Sequence, residues 1–147
     1  MRRFAIASIG LVLAVTLGCA QTRKSSSGFH LPSGDPQRGQ ALFVDMKCHA
    51  CHRVQGVDLP APVADPPVPV VLGGIVYGVR TDGELAASII DPSHRLAPGY
   101  RVTEVASGTE LSRMGDFSEV MTVRDLVDLV AFLQAHYDVR QRPTRYH

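Results

Sequence analysis

The sequence predicts a small all-α domain of three to four helices, with a proline-rich loop among them. Three observations predict it. Thr81–Glu84 and Thr122–Asp125 each have the form of a capping box, in which a threonine hydroxyl and an acidic side chain three residues later satisfy free backbone N–H groups at a helix start. The second box leads into Leu126, Leu129, Val130, Leu133 and Tyr137, spaced i, i+3, i+4, i+7, i+11 as one buried helical stripe. Asp35-Pro36 fits a third helix start, because proline in the first turn loses no intrahelical hydrogen bond.

Composition fits one globular domain: 147 residues, 45% hydrophobic and 20% charged. Fifteen Lys and Arg against fourteen Asp and Glu give a formal charge of +1, without the basic excess of a nucleic-acid binder. Three cysteines cannot all pair in disulfides within one chain. Five Phe, four Tyr and no Trp leave open what fills the core.

In chain order, Arg2 and Arg3 precede an apolar run from Phe4 to Leu17, the pattern of an export signal and short for a spanning helix. Gly18-Cys19 directly after it resembles a bacterial lipobox, which implies that Cys19 becomes the first mature residue and carries lipid. Cleavage before Gln21, or retention of the run as an uncut anchor, are the competing outcomes. The expected division is a lipoprotein-type signal peptide at 1–18, a flexible tether at 19–34 containing Ser25-Ser26-Ser27-Gly28, a domain at 35–140 and a tail at 141–147. In the first helix Gly39 and Phe43 lie four apart, on one face.

Cys48-His49-Ala50-Cys51-His52 has the C-x-x-C-H form of a c-type haem attachment site. Two thiols two residues apart span the vinyl groups on one haem edge, and the next residue is directed at the iron. His52 Nε2 is the expected proximal ligand, with Nδ1–H donating to a backbone carbonyl. His49, inside the loop, is expected to face solvent. Zinc is a poor alternative, because four ligands within five residues do not close a tetrahedron and no second C-x-x-C follows. A thioredoxin-like pair lacks its βαβ context. A Cys48–Cys51 disulfide leaves the histidine unexplained.

From Val57 to Leu72 stand Pro60, Pro62, Pro66, Pro67 and Pro69, so no helix runs there. This segment is expected to wall the His52 side and to offer the carbonyl for Nδ1–H. Leu85, Ile89 and Ile90 form the apolar face of a helix that stops before Pro92. Val102 to Met114, with Gly108 near its middle, reads as a short hairpin or an irregular loop.

Gly39-Gln40-Ala41-Leu42-Phe43, with Cys48 following, resembles the start of class I monohaem cytochromes c. Phe132 and the segment Met114-Gly115-Asp116-Phe117 resemble that family's last helix and the loop leading into it. Leu85 to Pro92 with Pro98-Gly99-Tyr100 resembles the cytochrome domain of some bacterial cytochrome oxidase subunits II. The resemblance spans about residues 35–138. It implies one haem c held by Cys48 and Cys51 with the helices wrapped around it, close crossing of the last helix over Gly39 and Phe43 with Phe132 at the crossing, and Met114 as the sixth iron ligand. Gly115 stands where the family has proline. Met46 and Met121 read as packing residues, and His30, His94, His136 and His147 as surface residues with imidazoles to spare.

With both axial positions filled, such an iron has no open site, which implies one-electron transfer and no catalysis on a small-molecule substrate. A thioether in place of a second imidazole raises the reduction potential. The resemblance thus implies a bacterial electron carrier, lipid-anchored and facing the periplasm or soluble there, between a donor and an acceptor protein, with no nucleic-acid partner. An electron-transfer subunit of a larger dehydrogenase or oxidase is the alternative; a ligand-binding or peroxidatic haem protein would need the sixth ligand weak or absent. Lys47, Arg53 and Arg113 read either as a docking rim or as ordinary solvated charges. Tyr100, Arg80 and Arg101 are candidates for holding haem propionates.

Overall fold

Asp35 opens helix α1 (Pro36–Asp45) through its own carboxylate: Oδ1 accepts from the backbone N–H of Gln37 at 2.9 Å and of Arg38 at 3.2 Å. The computed structural model describes residues 29–61, 69–78, 80–108 and 111–140. The signal peptide, Cys19, the first part of the tether, Pro62, Pro66, Pro67 and the tail lie outside the described residues. After α1 come a 3-10 turn at Cys48–Ala50, strand β1 (His52–Val54), β2 (Val70–Leu72), β3 (Gly74–Val76), helices α2 (Asp82–Ile90), α3 (Val102–Val105) and α4 (Val123–Ala135), and β4 (Tyr137–Val139).

Both capping boxes form. Thr81 Oγ1 accepts from Glu84 N–H at 3.1 Å, while Glu84 Oε2 accepts from Thr81 N–H at 3.0 Å. Thr122 Oγ1 and Asp125 Oδ2 repeat the exchange at 3.1 Å each way. The Thr122 hydroxyl also donates to Asp125 Oδ2 at 2.6 Å; this bond first, and the Thr122 N–H second, hold the Asp125 carboxyl below its usual range, and the nearby Arg38 adds to the effect.

The core is the crossing of α1 over α4. Leu129, Val130 and Leu133 are buried as the stripe requires. The opposite side of α4 is buried too, through Val127, Asp128 and Phe132, because α1 covers it. Gly39 permits the approach: a Cβ there would collide with the Asp128 carbonyl oxygen and stand 2.7 Å from Phe132 Cβ. One turn later Phe43 and Phe132 meet with ring centroids 5.5 Å apart, tilted. Gly34, just before the helix, makes a similar approach, with its would-be Cβ 2.5 Å from the Val127 carbonyl oxygen.

Asp128 is a charged residue with only 1% exposure at this crossing. Its Oδ1 accepts from Asp35 N–H at 2.8 Å, and Arg38 lies 2.9 Å from Oδ2 while also bonding Asp125 at 2.8 Å. Burying a carboxylate is costly unless it is paired and hydrogen-bonded, and here both conditions are met by residues at the start of α1. The pairing also fixes the register of the crossing.

Three expectations need correction. The domain is not all-α: β1 pairs in parallel with β2, and β3 with β4, in three-residue ladders. The chain at Val70–Leu72 and Gly74–Val76 is extended, and its backbone groups are satisfied by this pairing. The buried face of α2 is Leu85, Ala86 and Ile89, whereas Ile90 is exposed; α2 turns the small Ala86 toward the core, where α4 is its neighbour. Tyr137 is buried but lies beyond α4, because His136 closes the helix and the chain passes into β4, with Gly74 N–H donating to the His136 carbonyl. Among the described residues no helix is long and apolar enough to cross a membrane.

Replacing Gly39 by alanine is expected to force the two helices apart and to cost about 3 kcal/mol or more. Denaturant unfolding checks this; an unchanged midpoint would remove the crossing from its central place.

Candidate functional site

The C-x-x-C-H segment is placed by what precedes and follows it. Met46 ends α1, and Lys47 takes a left-handed conformation, φ 59°, which turns the chain sharply into the 3-10 turn. Within that turn Ala50 N–H donates to the Lys47 carbonyl at 3.0 Å and Cys51 N–H to the Cys48 carbonyl at 3.2 Å. The tight winding carries the chain from Cys48 to Cys51 in a single turn, leaving Cys48 half-buried and Cys51 exposed. The two thiols are free, not joined in a disulfide. β1 then pins the histidine: His52 stands opposite Val70 in the parallel ladder, and Val70 N–H donates to the Cys51 carbonyl at 2.9 Å.

Burial sets the chemistry of these groups. It pushes the Cys48 thiol up to about 11, with the neighbouring Cys51 adding to the rise, so the thiol is neutral at ordinary pH. Burial also holds His52 below the usual imidazole range, against a smaller opposing effect of the Val70 backbone. A neutral imidazole is the form that binds a metal. Val70, within the 57–72 segment expected to face this histidine, is therefore the backbone group that acts on the ring. Nδ1 of His52 nevertheless has no partner at hydrogen-bond geometry, and neither has Nδ1 of His49.

His49 departs from the solvent-facing expectation: it is 9% exposed. The left-handed Lys47 and the 3-10 winding turn the second residue of the motif inward, while Lys47 itself stays outside. The Phe43 ring lies 6.4 Å from that of His52, so the aromatic contact at the α1–α4 crossing continues to the proposed ligand.

Two unpaired thiols one turn apart, a half-buried imidazole immediately after them, and two buried ring nitrogens without partners fit a covalently attached haem with histidine ligation. The residues do not fit a closed ion site: among the described residues no group of three or more His, Cys, Asp or Glu side chains is arranged to hold a metal ion.

Met114 lies on a separate loop and is half-buried. Its backbone N–H donates to Ser112 Oγ at 3.1 Å. Cys48 packs against the buried core together with Met46, Val57, Leu59 and Met121, a cluster that does not include Met114. Lys47 and Arg53 are exposed beside the motif. Tyr100 uses its hydroxyl to accept from Val71 N–H at 2.9 Å, tying the loop after α2 to β2. Sequence reasoning placed the segment that holds Val70 but not the residue itself, and it missed Asp128, whose partners lie about ninety positions away. A groove between Leu31, Pro32, Asp82, Val130 and Ala131 is on other elements and shares no residue with the motif.

A family model for cytochrome c matches residues 36–136. No curated protein and no solved structure matches the chain.

In the mature protein, haem is expected to stay on the chain through denaturing electrophoresis. Cys48→Ala combined with Cys51→Ala should abolish haem staining of the band; staining that persists would place the attachment elsewhere.

Proposed function

The chain belongs to the cytochrome c family and carries covalently bound haem c, and from that premise we propose that it passes single electrons between respiratory redox partners, tethered to a membrane or free in the periplasm, with His52 and Met114 as its axial ligands. The observation that carries the reading is the half-buried His52, its imidazole held below the usual range, placed directly after two free thiols. Haem, when bound, supplies a one-electron ferric–ferrous couple. The chain's residues do the rest. Cys48 and Cys51 anchor one edge, and β1–β2 pairing keeps His52 from swinging away. Met114 would offer its thioether as the second iron ligand, which would deny that place to oxygen, peroxide or other small ligands. Thioether ligation raises the reduction potential relative to a second imidazole, and burial among apolar side chains acts in the same direction by disfavouring added positive charge.

The likeness of residues 85–92 and 98–100 to the cytochrome domain of oxidase subunits II favours a second reading, an electron-transfer subunit of a larger oxidase or dehydrogenase. The placement of Arg2 and Arg3, the apolar run and Cys19 supports export and lipid anchoring.

The ferric absorption spectrum tests the ligand set. A sulfur-to-iron charge-transfer band is expected in the wild type and absent in Met114→Ala, whose potential should fall. High-spin ferric wild type, or a band that survives the substitution, would overturn Met114 ligation. Detergent extraction tests the address: wild type should fractionate with membranes and Cys19→Ser with the soluble proteins. A catalytic partner that follows the wild type through detergent purification would favour the subunit reading.

A further inference from the structure

The loop that carries Met114 is held by side chains on its N-terminal side and by short-range bonds on the other. Arg113 Nε donates to the Ala106 carbonyl at 3.0 Å, and one of its terminal nitrogens donates to the Thr103 carbonyl at 3.3 Å. Arg113 N–H donates to the Val105 carbonyl at 3.0 Å. A single residue thus makes three bonds to α3 and its end. Ala106 and Ser112 form an antiparallel bridge, supported by Ser107 N–H donating to the Leu111 carbonyl at 2.8 Å. Ser112 then works in two directions: its hydroxyl accepts from Met114 N–H at 3.1 Å, and its own N–H donates to Ser93 Oγ at 3.2 Å. This fastens the bridge to the segment that follows α2.

Beyond Met114 the bonds stay within a few residues: Ser118 N–H donates to Asp116 Oδ1 at 2.8 Å, and Val120 and Met121 N–H to the Phe117 carbonyl at 3.1 and 2.9 Å. Gly115 is exposed, and a Cβ built there would meet nothing within 4 Å. A glycine without packing leaves the backbone free to swing, and that freedom must be restrained from elsewhere if Met114 is to stay in one place. The planar guanidinium suits the task, because its donors diverge in fixed directions and reach two carbonyls at once. Its charge is engaged in the loop, which distinguishes Arg113 from the exposed Lys47 and Arg53 beside the motif.

We infer that Arg113 and Ser112 are positioning residues for the sixth ligand: their hydrogen bonds hold the loop in the conformation that presents the Met114 thioether and so limit how often it opens. The inference rests on the reading of Met114 as a ligand. An outside ligand binds ferric iron only when methionine has left, so its apparent affinity measures the fraction of time the loop is open.

The test is imidazole binding to the ferric holoprotein, followed by loss of the sulfur-to-iron band, in wild type, Arg113→Ala, Arg113→Lys and Ser112→Ala. Loss of one or two such bonds should tighten apparent imidazole binding by about tenfold in Arg113→Ala. Arg113→Lys, which retains a donor, should fall between that variant and the wild type, and Ser112→Ala should shift in the same direction as Arg113→Ala. Global unfolding midpoints, measured alongside, should move little, since Arg113 is exposed and its side-chain bonds go to α3 and its end, not to the α1–α4 crossing. If the wild type shows the band and all variants bind imidazole as it does, the positioning role is overturned and Met114 ligation stands. If imidazole affinity changes only in step with global stability, the role is overturned as well. Absence of the band from the wild type overturns both.

Discussion

Everything at the site depends on how closely α1 can lie against α4. The approach is set at Gly39, where the two backbones come within reach because no side chain stands between them. Phe43, one turn on, then reaches both Phe132 and the neighbourhood of His52. The C-terminal end of α1 is thereby fixed, and the left-handed Lys47 swings the chain from it into the cysteine turn. A wider crossing would move the turn outward, and the burial that keeps His52 neutral and Cys48 protonated would weaken.

The same crossing shows how a charge can serve a core. Asp128 has only 1% exposure, yet its two oxygens are engaged by the Asp35 backbone and by Arg38. Such pairs contribute little net stability compared with apolar packing. Their worth here lies in direction: sliding α1 along α4 by a turn would strand the carboxylate. Apolar contacts tolerate small slips, whereas a buried ion pair with a backbone donor does not.

How much of this was legible in the sequence depended on how narrowly chemistry constrains each residue. Cys48, Cys51 and His52 were readable because covalent attachment fixes both residue type and spacing. The two capping boxes were readable because their partners lie three residues apart. Periodicity placed the face of α2 only to within one residue, so Ile90 was assigned inward and Ala86 overlooked. It also gave no end point for α4, so Tyr137 was counted in a helix it follows. Three-residue ladders such as His52–Val70 have no pattern long enough to detect. The burial of His49 follows from a left-handed turn at Lys47, a residue type that does not announce one, and the pairing of Asp128 depends on residues about ninety positions away, which no local signal encodes.

The span of that crossing has a temporal side. Asp35 and Asp128 are 93 positions apart, so α1 acquires its packing partner only when nearly the whole domain has been made. Contacts of such long sequence separation are slow to form, because a large loop must close before they reward it. In the interval the cysteine turn has no finished core behind it. Cys48 then lacks the apolar residues against which it packs in the finished domain. Chain order thus leaves the cysteine turn without its packing until the last helix has been made.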